Sequence, residues 1–200
     1  MKTSENHTFK RGDSSLPYSD SVSPESIESL RILSFRLSLR PIRIEDAADV
    51  FREFTNKVAE YMTPEPAKKL EDTENFLIGA IGDRLEGKDL QLVITDSSGE
   101  EFLGLIGLHS RYGTQTPEVG VWLKDGAWGN GYGKKAVESL INWANTNMEF
   151  SHIVYTVAEN NHPSRKIAES FTTTRSWAGP LALVDYNIPF GAEPQAPIHI

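Results

Sequence analysis

Leu37 and Leu39 alternate with polar neighbours in RLSLRPIR (Arg36 to Arg43), and that period of two predicts an extended segment. The period then changes. Ala47, Val50, Phe51 and Phe54 recur at three- and four-residue spacing, which places them on one stripe of a helix from Ile44 to Asn56. Glu45 and Asp46 fall in its first turn, where the helix dipole favours negative charge. YMTPEP (Tyr61 to Pro66) is punctuated by two prolines and reads as a loop. A second helix is predicted over Glu71 to Leu85, burying Phe76, Leu77, Ala80, Ile81 and Leu85.

Strands follow. LQLVITD (Leu90 to Asp96) and EFLGLIGLHS (Glu101 to Ser110) flank a turn containing Gly99, a hairpin signal. PEVGVWL (Pro117 to Leu123) is a third strand. Ala136, Val137, Leu140, Ile141 and Ala144 mark a helix over Gly131 to Met148. HIVYTVA (His152 to Ala158) is β-branched and extended. A short helix over Ser164 to Ser170 and a strand over Leu181 to Phe190 complete the pattern, and the last ten residues read as irregular. A mixed sheet with helices on its faces is an α+β arrangement.

The first 30 residues do not extend that pattern. They hold eight serines and few large apolar groups, so they cannot bury enough surface to offset their ordering entropy. They are expected to form an arm, with one helical turn near Pro24 to Leu30, ahead of a single domain over residues 31–200.

Charge narrows the partners. The chain of 200 residues carries a net charge of −8, so a broad nucleic-acid face is not expected, because neutralising phosphates needs an excess of Lys and Arg. No apolar run reaches the roughly 18 residues of a membrane helix, so no membrane partner is expected and the cytoplasm is the default location. With no cysteine, a disulfide, a thiolate metal site and a Cys nucleophile are all excluded. No metal is expected.

One stretch carries chemistry. GAWGNGYGKKA (Gly126 to Ala136) joins a strand to a helix and holds four glycines followed by two lysines. Glycine lets backbone N–H groups approach a bulky anion closely, and the helix mouth adds partial positive charge. Lys134 and Lys135 are mildly repelled by that dipole, and a bound anion would reverse the sign. A solvated, flexible helix start remains the plain alternative. The glycine spacing is wrong for a dinucleotide fingerprint, and no Ser or Thr follows the lysine as a P-loop requires.

These residues resemble the GNAT superfamily of N-acetyltransferases. The family's acetyl-CoA signature, [Q/R]-x-x-G-x-[G/A], is matched by Gly131 and Gly133, with Trp128 in the first position. That tryptophan, within EVGVWLKDGAWGNGYG (Glu118 to Gly133), is similar to the branch of ribosomal-protein N-terminal acetyltransferases. Asn161-His-Pro-Ser164 matches the family's N-x-x-[S/A], and LRPIRIEDAADVF (Leu39 to Phe51) its opening strand and helix. The likeness spans Arg36 to Ser170. It implies a mostly antiparallel sheet of six to seven strands, with acetyl-CoA in a splay between two central parallel strands.

The resemblance also implies roles. Backbone amides of Gly129, Asn130, Gly131, Tyr132, Gly133 and Lys134 would cradle the pyrophosphate of acetyl-CoA. Val121, Trp122 and Leu123 would pair with the pantetheine arm, and Asn161 and Ser164 would line the far wall. Asn161 also suits a plain helix cap. Without Cys, transfer to a primary amine, on a protein N-terminus or a small molecule, would be direct and in a ternary complex. Glu118 is the first candidate base and His109 the second, although a strand-end histidine is more often structural. The family's tyrosine acid would fall at Ala168, leaving Ser164 or water in that role. AESFTTTRSWAG (Ala168 to Gly179) departs from the family pattern and leaves the acceptor pocket unassigned. A non-catalytic acyl-CoA sensor of the same fold is the alternative reading, and a homodimer is left open.

Overall fold

The computed structural model describes residues 16–20, 22–110, 115–171, 173–178 and 183–192. One sheet contains the strands β1 (Ile32–Leu33), β2 (Leu37–Pro41), β3 (Asp89–Asp96), β4 (Phe102–His109), β5 (Glu118–Leu123), β6 (His152–Ala158), β7 (Thr174–Ala178) and β8 (Leu183–Pro189). Their spatial order is β1-β2-β3-β4-β5-β6-β8-β7. The eight strands exceed the six to seven expected. Both unforeseen strands lie at sheet edges: β1 is two residues long, and β7 has a largely polar sequence. Neither is long or apolar enough to show a period of two.

Both faces of the sheet are covered by helices. On one lies α4 (Tyr132–Asn147), whose Ala136, Val137, Leu140, Ile141 and Ala144 are buried against Leu37, Leu39, Leu92, Ile153 and Val157. On the other lie α2 (Ala47–Glu53) and α3 (Leu70–Leu85), closing over Val93, Phe102 and Leu105. Successive residues Leu92, Val93 and Ile94 are thus all buried, alternately on the two faces. The helix expected from Ile44 opens as a 3-10 turn over Ile44–Asp46 before α2. Asp46 makes that turn. Its carboxylate accepts the Arg43 N–H at 2.8 Å and both arms of the Arg40 guanidinium at 2.9 and 2.6 Å.

The buried stripe of α3 differs from the expected one. It consists of Thr73, Leu77, Ala80 and Arg84, while Phe76 and Leu85 are 48% and 59% exposed. Arg84 is held inside by donating to the Ile42 carbonyl at 2.8 Å and to Glu28 at 2.6 Å. A paired guanidinium therefore occupies a core position that hydrophobicity alone assigns to Leu85.

Glu28 belongs to α1 (Pro24–Glu28), in the segment read as an arm. Residues 1–15 of that arm lie outside the described residues, as do 181–182 of the last predicted strand and 193–200 of the predicted tail. From Leu16 onward the chain lies against the domain. Leu16 and Ile27 are buried, Leu16 N–H bonds Gly87 O at 2.6 Å, and Ser19 N–H bonds Asn147 O at 2.9 Å.

The feature that positions the site is the single parallel strand pair among the described residues. β5 and β6 share one registered pair, Glu118 with Val154, closed by Val154 N–H to Pro117 O at 2.9 Å. Beyond it the two strands part towards their C-terminal ends. β5 leads into the glycine loop, and β6 leads through Asn161 into α5 (His162–Ala168).

Candidate functional site

The loop after β5 is built to expose backbone. Gly129 and Gly131 adopt φ of +75° and +77°, the left-handed region that only glycine enters freely. A Cβ at either would meet nothing within 4 Å, so the space in front of the loop is open. Gly131 is the N-cap of α4 and offers no side-chain cap to the first-turn N–H groups. Gly133 serves packing instead: a Cβ there would lie 3.1 Å from Ile167 of α5 and 3.6 Å from Leu123.

Side chains fix the loop from behind. Trp128 donates its indole N–H to Leu123 O at 2.9 Å, bridging strand end and loop. Arg36 donates to Asn130 O at 2.8 Å and stacks over the Tyr132 ring at 4.8 Å. Lys134 and Lys135 both approach Glu138, at 3.7 and 3.4 Å, and remain about two-fifths exposed. Open amides, a helix mouth and three cations fit a pyrophosphate. The lysines sit in the first turn of α4, as the sequence places them.

A cavity of about 580 Å³ lies between the parted strands and α2, α3 and the loop that joins them. Of the candidate residues it brings together His109, Glu118, Val121, Trp122, Asn161 and Ser164. Leu123 and the glycine loop do not line it. Leu123 packs into the α4-side core, and the loop lies beyond the end of β5.

Glu118 and His109 are cross-strand partners, so their side chains share one face of the sheet. Glu118 is buried, at 9% exposure. His109 Nδ1 lies 3.0 Å from Asp89 Oδ2, and the other Asp89 oxygen accepts Ser110 N–H at 3.1 Å. Asp89 is the registered neighbour of His109 on β3. A carboxylate only accepts, so Nδ1 is the donor and Nε2 is left as the basic nitrogen. Nε2 would lie 3.2 Å from a Cβ on Gly120, so the ring reaches across bare backbone.

Across the gap, Asn161 caps α5 by accepting Ser164 N–H at 3.2 Å, the plain role its sequence position allows. It also lines the cavity. Ser164 Oγ is 2.8 Å from the Tyr155 hydroxyl. Burial pushes the Tyr155 phenol up to about 12, against a smaller opposing effect of the Ser164 hydrogen bond, so it keeps its proton at neutral pH.

Nothing local in the sequence points to Tyr155, Asp89 or the aromatic mouth. Tyr155 sits in an apolar strand run, where a core position is the natural reading, and its partner is nine residues away on another element. Asp89 lies at the first residue of β3, and only the strand register reveals its neighbour. Phe51 and Phe76, expected on buried stripes, line the cavity with Tyr61 while remaining 38–48% exposed. Among the described residues no group of His, Asp and Glu is placed to hold a metal, and no helix is long and apolar enough to cross a membrane.

Solved structures share this architecture. A ribosomal-protein-serine acetyltransferase described as putative, from Vibrio cholerae, superimposes with a TM-score of 0.67 at 15% identity, over 81% of this chain and 98% of its own. RimL, a ribosomal alpha-N-protein acetyltransferase solved in complex with coenzyme A, gives 0.67 at 17% identity, over 83% and 98%. In sequence, the uncharacterized N-acetyltransferase p20 of Bacillus licheniformis is 29% identical over 141 residues, 68% of this chain and 78% of that protein. The family model described as an acetyltransferase (GNAT) domain matches residues 36–171, a span that takes in the parted strands, the glycine loop and the Asn161 cap. With that match over most of its length, the chain belongs to the GNAT family and is an acetyltransferase.

Proposed function

We propose that this protein transfers an acetyl group from acetyl-CoA directly to a primary amine, on a protein N-terminus or a small molecule, with both substrates bound at once. The observation that carries the reading is the cavity between the parted strands. Glu118 and His109 reach it from β5 and β4, while Tyr155 and Ser164 reach it from β6 and α5. The absence of cysteine fits direct transfer, since no thiol is available to carry the acetyl group.

The residues fit acetyl-CoA in two places. The amides of Gly129 to Lys134 would hold the pyrophosphate, with Arg36, Lys134 and Lys135 adding positive charge. The backbone of Val121 to Leu123, which has no registered partner on the β6 side, would take the amide-bearing arm. The bound molecule supplies an activated acyl carbon. The protein supplies proton handling on either side of it.

An amine is protonated at neutral pH and must lose that proton to attack. Glu118 takes it, directly or through water, from the amine entering under α2 and α3. His109 stands beside it as the second candidate, its tautomer fixed by Asp89. On the opposite side Ser164 holds a proton where the thiol will leave. Tyr155, protonated and buried, shares a hydrogen bond with Ser164 Oγ, and with the phenol as its donor the serine hydroxyl hydrogen is free to face the cavity. This pair fills the role left vacant at Ala168.

Release of free CoA thiol, followed with the purified full chain against a panel of amines, tests the proposal. Turnover on at least one amine is expected. Stabilisation by acetyl-CoA in a thermal melt with no turnover on any amine would replace it with the acyl-CoA sensor.

A further inference from the structure

The cavity wall on the α2–α3 side has a composition that selects among amines. On this side stand the rings of Phe51 of α2, Phe54 just past its end, Tyr61 of the joining loop, Phe76 of α3 and Trp122 of β5. Phe54 and Trp122 pack at 5.0 Å between ring centroids and form the inner floor. Phe51, Tyr61 and Phe76 are 38%, 44% and 48% exposed and stand at the mouth. Large apolar groups left half in water around a concavity mark a binding surface.

The charged groups there are of one sign. Glu65, Asp72 and Glu118 line the cavity, and among the described lining residues there is no Lys or Arg. Glu65 and Asp72 are exposed at the mouth, and Glu118 is buried at the inner end. Such a wall attracts a cation and opposes a carboxylate or phosphate, which would enter with no positive partner.

We infer that the acceptor is a small primary amine joined to an aromatic or branched apolar body and carrying no negative charge; this rests on the acetyltransferase reading of the same cavity. The ammonium end passes the acids to Glu118, where it loses its proton, and the apolar body stays among Phe51, Tyr61 and Phe76. A peptide N-terminus is a poorer occupant. It brings a row of carbonyls that need donors, and the mouth presents mostly rings and carboxylates, with few side-chain donors, the Tyr61 and Thr63 hydroxyls among them.

The test compares kcat/KM of the full chain for 2-phenylethylamine, phenylalanine, putrescine and a peptide with a free N-terminus. Phenylalanine adds only a carboxylate, and putrescine removes the apolar body. The expected result is a value for 2-phenylethylamine at least tenfold above each of the others. Equal or better use of any of the three overturns the assignment, as does no turnover on any amine. Phe76→Ala, at an exposed position, should lower the ratio of 2-phenylethylamine to putrescine at least fivefold; an unchanged ratio overturns it. Protection by acetyl-CoA in a thermal melt is measured in parallel. Protection with transfer to the peptide alone removes only the acceptor class, whereas no protection removes the acetyltransferase reading as well.

Discussion

The Tyr155 hydroxyl lies 2.8 Å from Ser164 Oγ, tying β6 to α5 across the wall of the cavity. Tyr155→Phe keeps the ring and removes only this contact. Ser164 then loses its hydroxyl partner, which on the proposed mechanism leaves its own hydrogen unoriented. The expected outcome is a fall in kcat of about tenfold, below the 10²- to 10⁴-fold of a group that transfers the proton itself because Tyr155 acts through Ser164, with acetyl-CoA affinity unchanged. Stability should drop by about 1 kcal/mol, the net worth of one hydrogen bond. Steady-state kinetics and a melt of both proteins check this. An unchanged kcat would make the contact purely structural. Because the phenol titrates only near 12, Tyr155 should contribute no limb to the pH–rate profile below about pH 10.

Gly131 gives a cleaner test of the cradle than Gly133. A side chain on Gly133 would press on Ile167 at 3.1 Å, so a variant there confounds packing with binding. At Gly131 the space is open and the obstacle is φ of +77°, which Asn and Asp tolerate better than other residues. Gly131→Asn and Gly131→Asp therefore share shape and strain and differ in charge. Acetyl-CoA should bind the Asn variant at least tenfold more tightly than the Asp variant, and calorimetry would show it. Equal affinities would move the pyrophosphate elsewhere.

Much of this site is legible in the sequence because it is local. The positive-φ glycines, the helix mouth and the Asn161 cap each lie within a few consecutive residues, so a short motif reveals them. Glu118 and His109 are legible as single residues at strand ends. The partners are not, because Asp89 meets His109, and Tyr155 meets Ser164, only through strand register and helix docking. Helix faces show the same limit. Periodicity found α3 to within one residue, yet its stripe was rotated by a buried guanidinium whose partner, Glu28, lies 56 residues earlier. The segment from Leu16 was obscured by its serines, since a few scattered apolar residues seat it on the domain, Leu16 and Ile27 fully buried and Tyr18, Val22 and Leu30 partly so.

Glu118 and His109 share a face and a cavity, so the base must be assigned by contrast. Glu118→Gln preserves size and removes the carboxylate proposed to accept the amine proton. It should lower kcat/KM for the amine by 10²- to 10⁴-fold and leave acetyl-CoA affinity intact. Asp89→Asn frees the imidazole tautomer of His109, while its amide oxygen can still accept the Ser110 N–H. A loss under about fivefold is expected there if Glu118 is the base. The reverse order, with Asp89→Asn more damaging than Glu118→Gln, would assign the proton to His109. Rates measured with saturating acetyl-CoA separate the two outcomes.

The hairpin between β3 and β4 is set by one half-buried carboxylate. Asp96 accepts hydrogen bonds from the Ser98 hydroxyl at 2.5 Å and from the N–H groups of Ser98, Glu100 and Glu101. The Ser98 hydroxyl and these amides lower its pKa to about 2. A group depressed on folding contributes stability above its unfolded pKa, and that contribution is lost as pH falls through the folded value. Asp96→Asn should therefore lower Tm at pH 7, and the difference should shrink between pH 4 and pH 2. A difference independent of pH would show that shape, not charge, holds the turn.

Leu77 and Phe76 are adjacent on α3, and periodicity places both on its buried side. In the fold Leu77 is 0% exposed against Ile42, Val50 and Val93, while Phe76 is 48% exposed at the cavity mouth. Truncating the two should separate stability from function. Leu77→Ala removes a fully buried side chain and leaves a void, at about 2–5 kcal/mol. For a domain of this size that is a fall in Tm of roughly 4–20 °C. Its kinetics at a temperature where it stays folded should be near those of the parent. Phe76→Ala gives up little burial, so its Tm should move by no more than about 3 °C. Its KM for a bulky apolar amine should nonetheless rise, since the ring lines the proposed acceptor site and not the core. If Phe76→Ala instead destabilised the protein as much as Leu77→Ala, the ring would be a core residue and the aromatic mouth would lose one of its three members.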